Sequence, residues 1–179
     1  MITSDDVLEK VRFARRRMDE LLALDESGLL GSRPSDRQQL LQEFFFHLIG
    51  AVDFLGQLVN QHRGLGFDAE DVRFRSLPAK LPKADPLVGH LRSLYANPKK
   101  KPLPKNPYSD DAYVFRTYIY RDHVTHRNRN PFQFRLGRVS LLLDPRDPTH
   151  GASAKSAQDE MRYILGLFEK RCRAALAAL

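Results

Sequence analysis

Residues 40–59 read LLQEFFFHLIGAVDFLGQLV. Drawn as a helix, this stretch places apolar side chains in almost every direction, because Leu41, Phe44 and Leu48 share one side while Phe46 and Phe54 point elsewhere. A helix of this kind is buried on several sides or forms an oligomer interface. The stretch therefore predicts a central helix whose neighbours come from this chain or from a second copy of it.

Helical signals continue on both sides of this stretch. Apolar residues three and four positions apart predict an amphipathic first helix that is capped by Thr3 or Ser4. Ser109 is a suitable N-cap for a later helix, and a last helix is expected from about Ser153. A short helix near residues 86–96 completes the set.

Two segments alternate as strands do. Val72–Arg75 predicts a short strand, and residues 132–143 alternate on both sides of Gly137, which predicts a hairpin before the last helix. The fold class is therefore mainly α: an up-and-down bundle of four long helices and a short one, with an inserted β-hairpin. The length of 179 residues favours a single domain over residues 1–179.

Composition narrows the class of protein further. A hydrophobic share of 42% is enough for one core and excludes wholesale disorder. The N-terminus lacks the layout of a signal peptide, and no apolar run approaches the ~20 residues that span a bilayer, so we expect a cytoplasmic protein without a membrane partner. The single Cys172 forms no internal disulfide. No metal or cofactor motif is present, and none is expected.

The positive charge is concentrated in one part of the chain. The formal net charge is +7, and residues 99–138 carry all of that excess. A local basic surface is typical of polyanion binding. The candidate RNA-binding residues are Lys99, Lys100, Lys101, Arg127 and Arg129. The three lysines lie in a proline-rich segment, so a solvated linker is the alternative for them.

The hexapeptide RDHVTH, which begins at Arg121, gathers side chains suited to phosphate chemistry. RNA cleavage without a metal needs a base for the ribose 2′-hydroxyl, an acid for the leaving 5′-oxygen and positive charge for the phosphorane. His126 suits the base or the acid, and Arg121 offers a charged fork to phosphate oxygens. Asp122 lies one helical turn before His126, where it would orient the ring. Arg116 and His123 are candidate supporting groups.

The segment Arg121-Asp122-His123-Val124-Thr125-His126 resembles the motif of the HEPN (higher eukaryote and prokaryote nucleotide-binding) superfamily. That motif is an arginine, often followed by a polar residue, with a histidine after four to six intervening positions; Arg116 and His123 also fit it. The resemblance implies a small helical bundle, commonly a dimer with a composite active site. It implies a metal-independent ribonuclease, often a toxin or defence protein, or a noncatalytic binding module. An antitoxin or a nucleotidyltransferase is an implied partner.

Helix geometry sets a condition on this site. Arg121 and His126 point about 140° apart on a regular helix, so they meet at one phosphate only if the helix end distorts or a second subunit contributes. A two-fold axis would bring two histidines together, one as base and one as acid. Arg116 and His123 point about 20° apart but lie roughly 10 Å apart along the axis, which makes them the second choice.

Three functions follow from these patterns. The first is a homodimeric endoribonuclease of single-stranded RNA or an RNA loop, with a 2′,3′-cyclic phosphate product. The second is a noncatalytic module that binds a nucleotide, RNA or a protein partner through the same basic surface. The third is a dimeric scaffold without a nucleic-acid role. Asp122 and His126 also have a structural alternative, as a buried polar pair that holds the bundle together.

Overall fold

The computed structural model confirms the mainly helical prediction. It describes residues 1–26, 34–68, 71–99, 102–126, 132–135, 138–144, 146 and 151–179, with the backbone alone at 24–26, 34–35, 125–126, 132–135 and 138–139. The helices are α1 (Ser4–Glu26), α2 (Pro34–Arg63), α3 (Leu87–Ser93), α4 (Asp110–His126) and α5 (Ala157–Ala177), with a 3₁₀ helix at Phe74–Ala79. Strands β1 (Phe132–Arg135) and β2 (Arg138–Leu141) pair antiparallel in the segment that alternates around Gly137.

Helix α2 lies at the centre of the fold. It packs against α1, α4, α5 and the 3₁₀ helix, while α1 and α3 also contact α5. Its side chains at Leu41, Phe44, Phe45, Leu48 and Leu55 have no exposed surface. The nearly all-round apolar pattern of this helix is therefore explained largely by neighbours within the same chain.

The prediction of a strand at Val72–Arg75 is wrong, because the chain enters the 3₁₀ helix at Phe74. Phe74 and Leu77 lie three residues apart, so one face of the 3₁₀ turn carries both into the core. A β-carbon on Gly56 of α2 would lie 3.1 Å from the Phe74 ring and 3.3 Å from the Leu77 side chain. Glycine at this position lets the two helices approach closely.

Hydroxyl side chains cap the first turns of α1, α4 and α5. Thr3 accepts from the Asp6 amide at 3.3 Å and Ser109 from the Ala112 amide at 3.3 Å, as the sequence predicts. Helix α5 begins at Ala157, later than the predicted start near Ser153, and Ser156 caps it. The reason lies in the backbone of Ser153, which donates to the Leu141 carbonyl at 2.7 Å and so extends the hairpin.

A buried ion pair joins α4 to α5. Arg116 donates from Nε and Nη2 to Oε1 of Glu160, at 2.9 and 2.6 Å, and neither side chain has exposed surface. The Tyr120 hydroxyl donates to the Leu142 carbonyl at 2.7 Å, and it lies 3.2 Å from the same carboxylate oxygen. Arg116 also donates to the Pro107 carbonyl. One polar cluster thus connects α4, α5, the segment before α4 and the end of the hairpin.

Truncation of one partner of this pair tests its role in stability. Glu160→Ala leaves a buried guanidinium without its counter-charge, and we expect the free energy of unfolding to fall by about 3–5 kcal/mol. Urea denaturation followed by circular dichroism measures the change. The surface pair Arg15–Glu169 is the matched control, because its arginine is half exposed and Arg15→Ala should cost about 1 kcal/mol or less.

The double variant Arg116→Met/Glu160→Leu removes both charges and fills the space with apolar atoms. We expect it to recover most of the stability that Glu160→Ala loses. An equal fall in the free energy of unfolding for Glu160→Ala and Arg15→Ala would show that the buried pair contributes no more to stability than the surface pair.

Cys172 reports on the same core. Its side chain has no exposed surface, and burial raises the pKa of the thiol to about 12. Since the thiolate is the reactive form, the folded protein should react slowly with a disulfide reagent such as DTNB at pH 8 and rapidly in urea. Absorbance at 412 nm follows the reaction. Rapid labelling of the folded protein would place Cys172 outside a stable core.

Candidate functional site

A cleft of about 1100 Å³ opens between α2, α4 and the segment 95–99 that follows α3. Ile49 forms part of its apolar wall. Its charged lining consists of Asp53, Arg75, Lys99, Arg121, Asp122 and Arg146. Four basic and two acidic side chains therefore face one space, which makes the cleft net positive while it still holds two acceptor groups.

The structure brings four of the predicted site residues together in this cleft: Lys99, Arg121, Asp122 and the buried His123. Arg121 and Asp122 reach it from α4, where both are half-buried, and Lys99 reaches it from the segment after α3. Two separate sequence features predict these residues, the RDHVTH segment and the lysine-rich loop. Their meeting in one cleft is a property of the fold.

The two predicted supporting groups, Arg116 and His123, are both buried. Arg116 has no exposed surface and its guanidinium is engaged by Glu160, so in this conformation it contributes to the core and does not contact a phosphate. His123 touches the cleft but is only 2% exposed. The structure therefore does not bring Arg116 and His123 into a solvent-accessible pair.

The remaining predicted residues are not described in full. His126 is the last residue of α4, and its side chain lies outside the described residues. Lys100, Lys101, Arg127 and Arg129 also lie outside the described residues. The backbone of α4 carries His126 one turn beyond Asp122, at the end of the helix that lines the cleft.

Arg146 holds one wall of the cleft in place. Its Nε and Nη2 donate to the two oxygens of Asp144 at 2.8 and 2.6 Å, and its Nη1 donates to the Pro98 carbonyl. The guanidinium also stacks over the Phe115 ring, with its carbon 5.0 Å from the ring centroid. Because most of its donors are engaged, Arg146 positions the segment that carries Lys99.

Two tyrosines meet at the other end of the segment 95–99. Tyr95 belongs to the segment, and Tyr118 belongs to α4. The Tyr118 hydroxyl donates to the Leu94 carbonyl at 3.0 Å, and burial raises the pKa of this phenol well above its usual range. The Tyr95 ring packs edge-on against Tyr118, with centroids 5.4 Å apart and planes inclined by 76°. Tyr95 is half-buried and lines the cleft. Contact with Tyr118 therefore holds an aromatic side chain in the lining of the cleft.

The site residues that the sequence predicts do not include Asp53, Arg75 and Arg146. Asp53 does carry a signal, because no other Asp, Glu, Lys or Arg occurs between Phe44 and His62. A lone carboxylate in such a stretch indicates either a solvent-facing spot or a site. Arg75 and Arg146 have no comparable signal, since only tertiary folding brings them to α4.

Comparisons of the chain with protein-family models, with curated proteins and with solved structures find no match. Among the described helices, none combines the length and the apolar character needed to cross a membrane. Within the described ranges, no three His, Cys, Asp or Glu side chains group in a way that could hold a metal ion. The chemistry of the cleft is therefore the basis for assigning a function.

Binding of a simple anion tests whether the cleft holds a phosphate. Arg121→Gln removes a charged donor, and we expect inorganic phosphate to bind about tenfold more weakly at low salt. Isothermal titration calorimetry or chemical-shift titration gives the dissociation constant. Arg12→Gln is the matched control, because Arg12 is exposed on α1 and does not line the cleft. Equal losses in both variants would reduce the effect to overall charge.

Proposed function

We propose that this protein is a HEPN-like, metal-independent endoribonuclease whose phosphate site is the cleft at the end of α4. The observation that supports the proposal is the cluster of Arg121, Asp122 and Lys99, residues that the sequence associates with phosphate chemistry and that line one cleft. Arg75 adds a fourth charged side chain to that lining. The net positive surface suits a phosphodiester better than a neutral substrate.

Each step of the proposed reaction has an assigned group. A histidine base removes the proton of the ribose 2′-hydroxyl, and the 2′-oxygen forms a bond to phosphorus. The bond from phosphorus to the 5′-oxygen breaks, and a second histidine, acting as the acid, donates a proton to that oxygen. Arg121 stabilises the charge of the phosphorane, while Asp122 orients His126. The products are a 2′,3′-cyclic phosphate and a 5′-hydroxyl.

In this proposal, a homodimer supplies the second histidine, which acts as the acid. Positions 121 and 126 are separated by about 140° around a regular helix, so a two-fold axis near the end of α4 would provide a second histidine for the same phosphate. Arg116 and His123 support the site indirectly, through the packing of α4. In this arrangement the protein acts in the cytoplasm on single-stranded RNA or on an RNA loop, in a toxin or defence role.

RNA cleavage in the presence of a chelator tests the mechanism. Wild-type protein with EDTA should cleave a single-stranded RNA and leave its 2′-deoxy counterpart intact, because the nucleophile is the 2′-hydroxyl. His126→Ala should lower the rate on the order of a hundredfold or more. His62→Ala is the control, since His62 is exposed at the end of α2. Mass spectrometry of the products identifies the cyclic phosphate.

Cleavage of the deoxy strand, or full activity of His126→Ala, would overturn this mechanism. Formation of a 2′,3′-cyclic phosphate end at an undiminished rate in EDTA supports it. Size-exclusion chromatography with light scattering reports whether the active species is a dimer.

A noncatalytic binding module is the second candidate function. It is favoured by the burial of His123 and Arg116, which leaves the described part of the cleft rich in cations and without an exposed histidine. This module binds RNA with a strong dependence on salt and does not cleave it. Its binding would be lost on charge reversal at Arg121 and unchanged in His126→Ala.

A further inference from the structure

Asp53 is the unexplained group of the cleft. It projects from α2 into a space whose other charged lining is mostly basic, and it is exposed to solvent there. Its electrostatic neighbour is Arg121: desolvation raises the pKa of Asp53 while the charge of Arg121 lowers it. The cleft therefore presents two acceptor oxygens that phosphate binding does not need.

Tyr95 is a second feature that phosphate binding leaves unused. Tyr95 lines the same cleft as Asp53, and its ring packs edge-on against Tyr118, which also lines the cleft. The Tyr118 hydroxyl is itself anchored on the Leu94 carbonyl. Rigid aromatic side chains in basic grooves are the usual stacking platforms for nucleic-acid bases.

We propose that the cleft binds a guanine nucleotide, with Tyr95 stacking on the base, Asp53 accepting from its Watson–Crick edge and Arg121 contacting its phosphate. The proposal deepens the proposed function, because it assigns base specificity to the same cleft, but base recognition does not require cleavage. A volume of about 1100 Å³ exceeds what one nucleotide needs and leaves room for the adjoining phosphodiester.

The chemistry of the base edges selects guanine. A carboxylate is an acceptor with two oxygens, so it pairs best with two adjacent donors. Guanine presents N1–H and N2–H side by side, whereas adenine and cytosine each place one amino donor beside a ring-nitrogen acceptor. Uracil has one N–H between two carbonyls, which would repel the carboxylate. Loops and single strands expose these edges, so the site fits unpaired RNA.

Asp53 has a simpler alternative role, which is to position Arg121 through charge attraction. The two roles differ in their effect on ligands. Loss of a positioning group changes the affinity for every nucleotide by the same factor. Loss of a base-reading group changes the affinity for guanine nucleotides and leaves the others alone.

Titration calorimetry with 3′-GMP, 3′-IMP, 3′-AMP, 3′-CMP and 3′-UMP separates these roles. Wild-type protein should bind 3′-GMP on the order of tenfold more tightly than 3′-AMP, 3′-CMP or 3′-UMP. Inosine keeps N1–H but lacks the 2-amino group, so 3′-IMP should bind with intermediate affinity. Asp53→Asn should abolish the preference for guanine. Asp19→Asn on α1, an exposed aspartate outside the cleft, is the matched control.

Substitution of Tyr95 tests the stacking platform. Tyr95→Phe keeps the ring and should bind all nucleotides as the wild type does, whereas Tyr95→Ala should weaken binding by about tenfold for every base. Thermal unfolding of each variant shows whether a loss of binding comes from a loss of fold. Should Tyr95→Ala weaken binding less than twofold while the protein stays folded, the platform is elsewhere.

The outcomes distinguish this inference from the proposed function. RNA cleavage without preference for guanine, or an unchanged preference in Asp53→Asn, overturns the guanine site and leaves the ribonuclease proposal standing. A guanine preference that depends on Asp53, without any cleavage, supports the site and removes the ribonuclease proposal. A uniform change for all five nucleotides in Asp53→Asn reduces Asp53 to a positioning residue.

Discussion

The buried pair of Arg116 and Glu160 is the constraint on which the arrangement of α4 depends. A buried guanidinium and carboxylate are tolerated only when they face each other, because an unpaired buried charge is strongly destabilising. Arg116 therefore fixes one side of α4 toward α5, and Tyr120, one turn later, continues that side. Since Arg121 lies about 140° around the helix from Arg116, the same constraint turns it outward. The interior pair thereby determines which arginine of the motif faces the cleft.

Much of the helical framework could be predicted from the sequence, because it follows from local signals. The apolar pattern of residues 40–59 requires neighbours on several sides. The hydroxyls of Thr3 and Ser109 cap the first turns of α1 and α4. The failures occur where a tertiary contact overrides the local pattern. Val72–Arg75 alternates like a strand, but the space beside Gly56 takes the Phe74 ring in a 3₁₀ turn. Ser153 resembles a cap, but its amide completes the hairpin.

The site was predictable only in part, for a related reason. Arg116 and Arg121 fit the same motif, and their sequence neighbourhoods do not tell which one faces inward. The distinguishing partner, Glu160, lies 44 residues away and belongs to another helix. Arg75 and Arg146 likewise reach the cleft from elements that are distant in sequence. Asp53 is the exception, since its isolation in an uncharged stretch of α2 is visible before folding.

The charge excess of residues 99–138 has a more specific meaning once the cleft is considered. Arg146 lies outside that segment and donates to Asp144 and to the Pro98 carbonyl. Because most of its donors are engaged, it shapes the wall of the cleft and adds little to anion contact. In the proposed function, Arg121, Lys99 and Arg75 attract the phosphate, whereas the negative charge of Asp53 repels it. Asp122, the other carboxylate of the lining, already has a role in the proposed reaction, which is to orient His126. Under the guanine proposal, Asp53 has a separate role, because the phosphate requires positive charge while the base edge requires an acceptor in the same cleft.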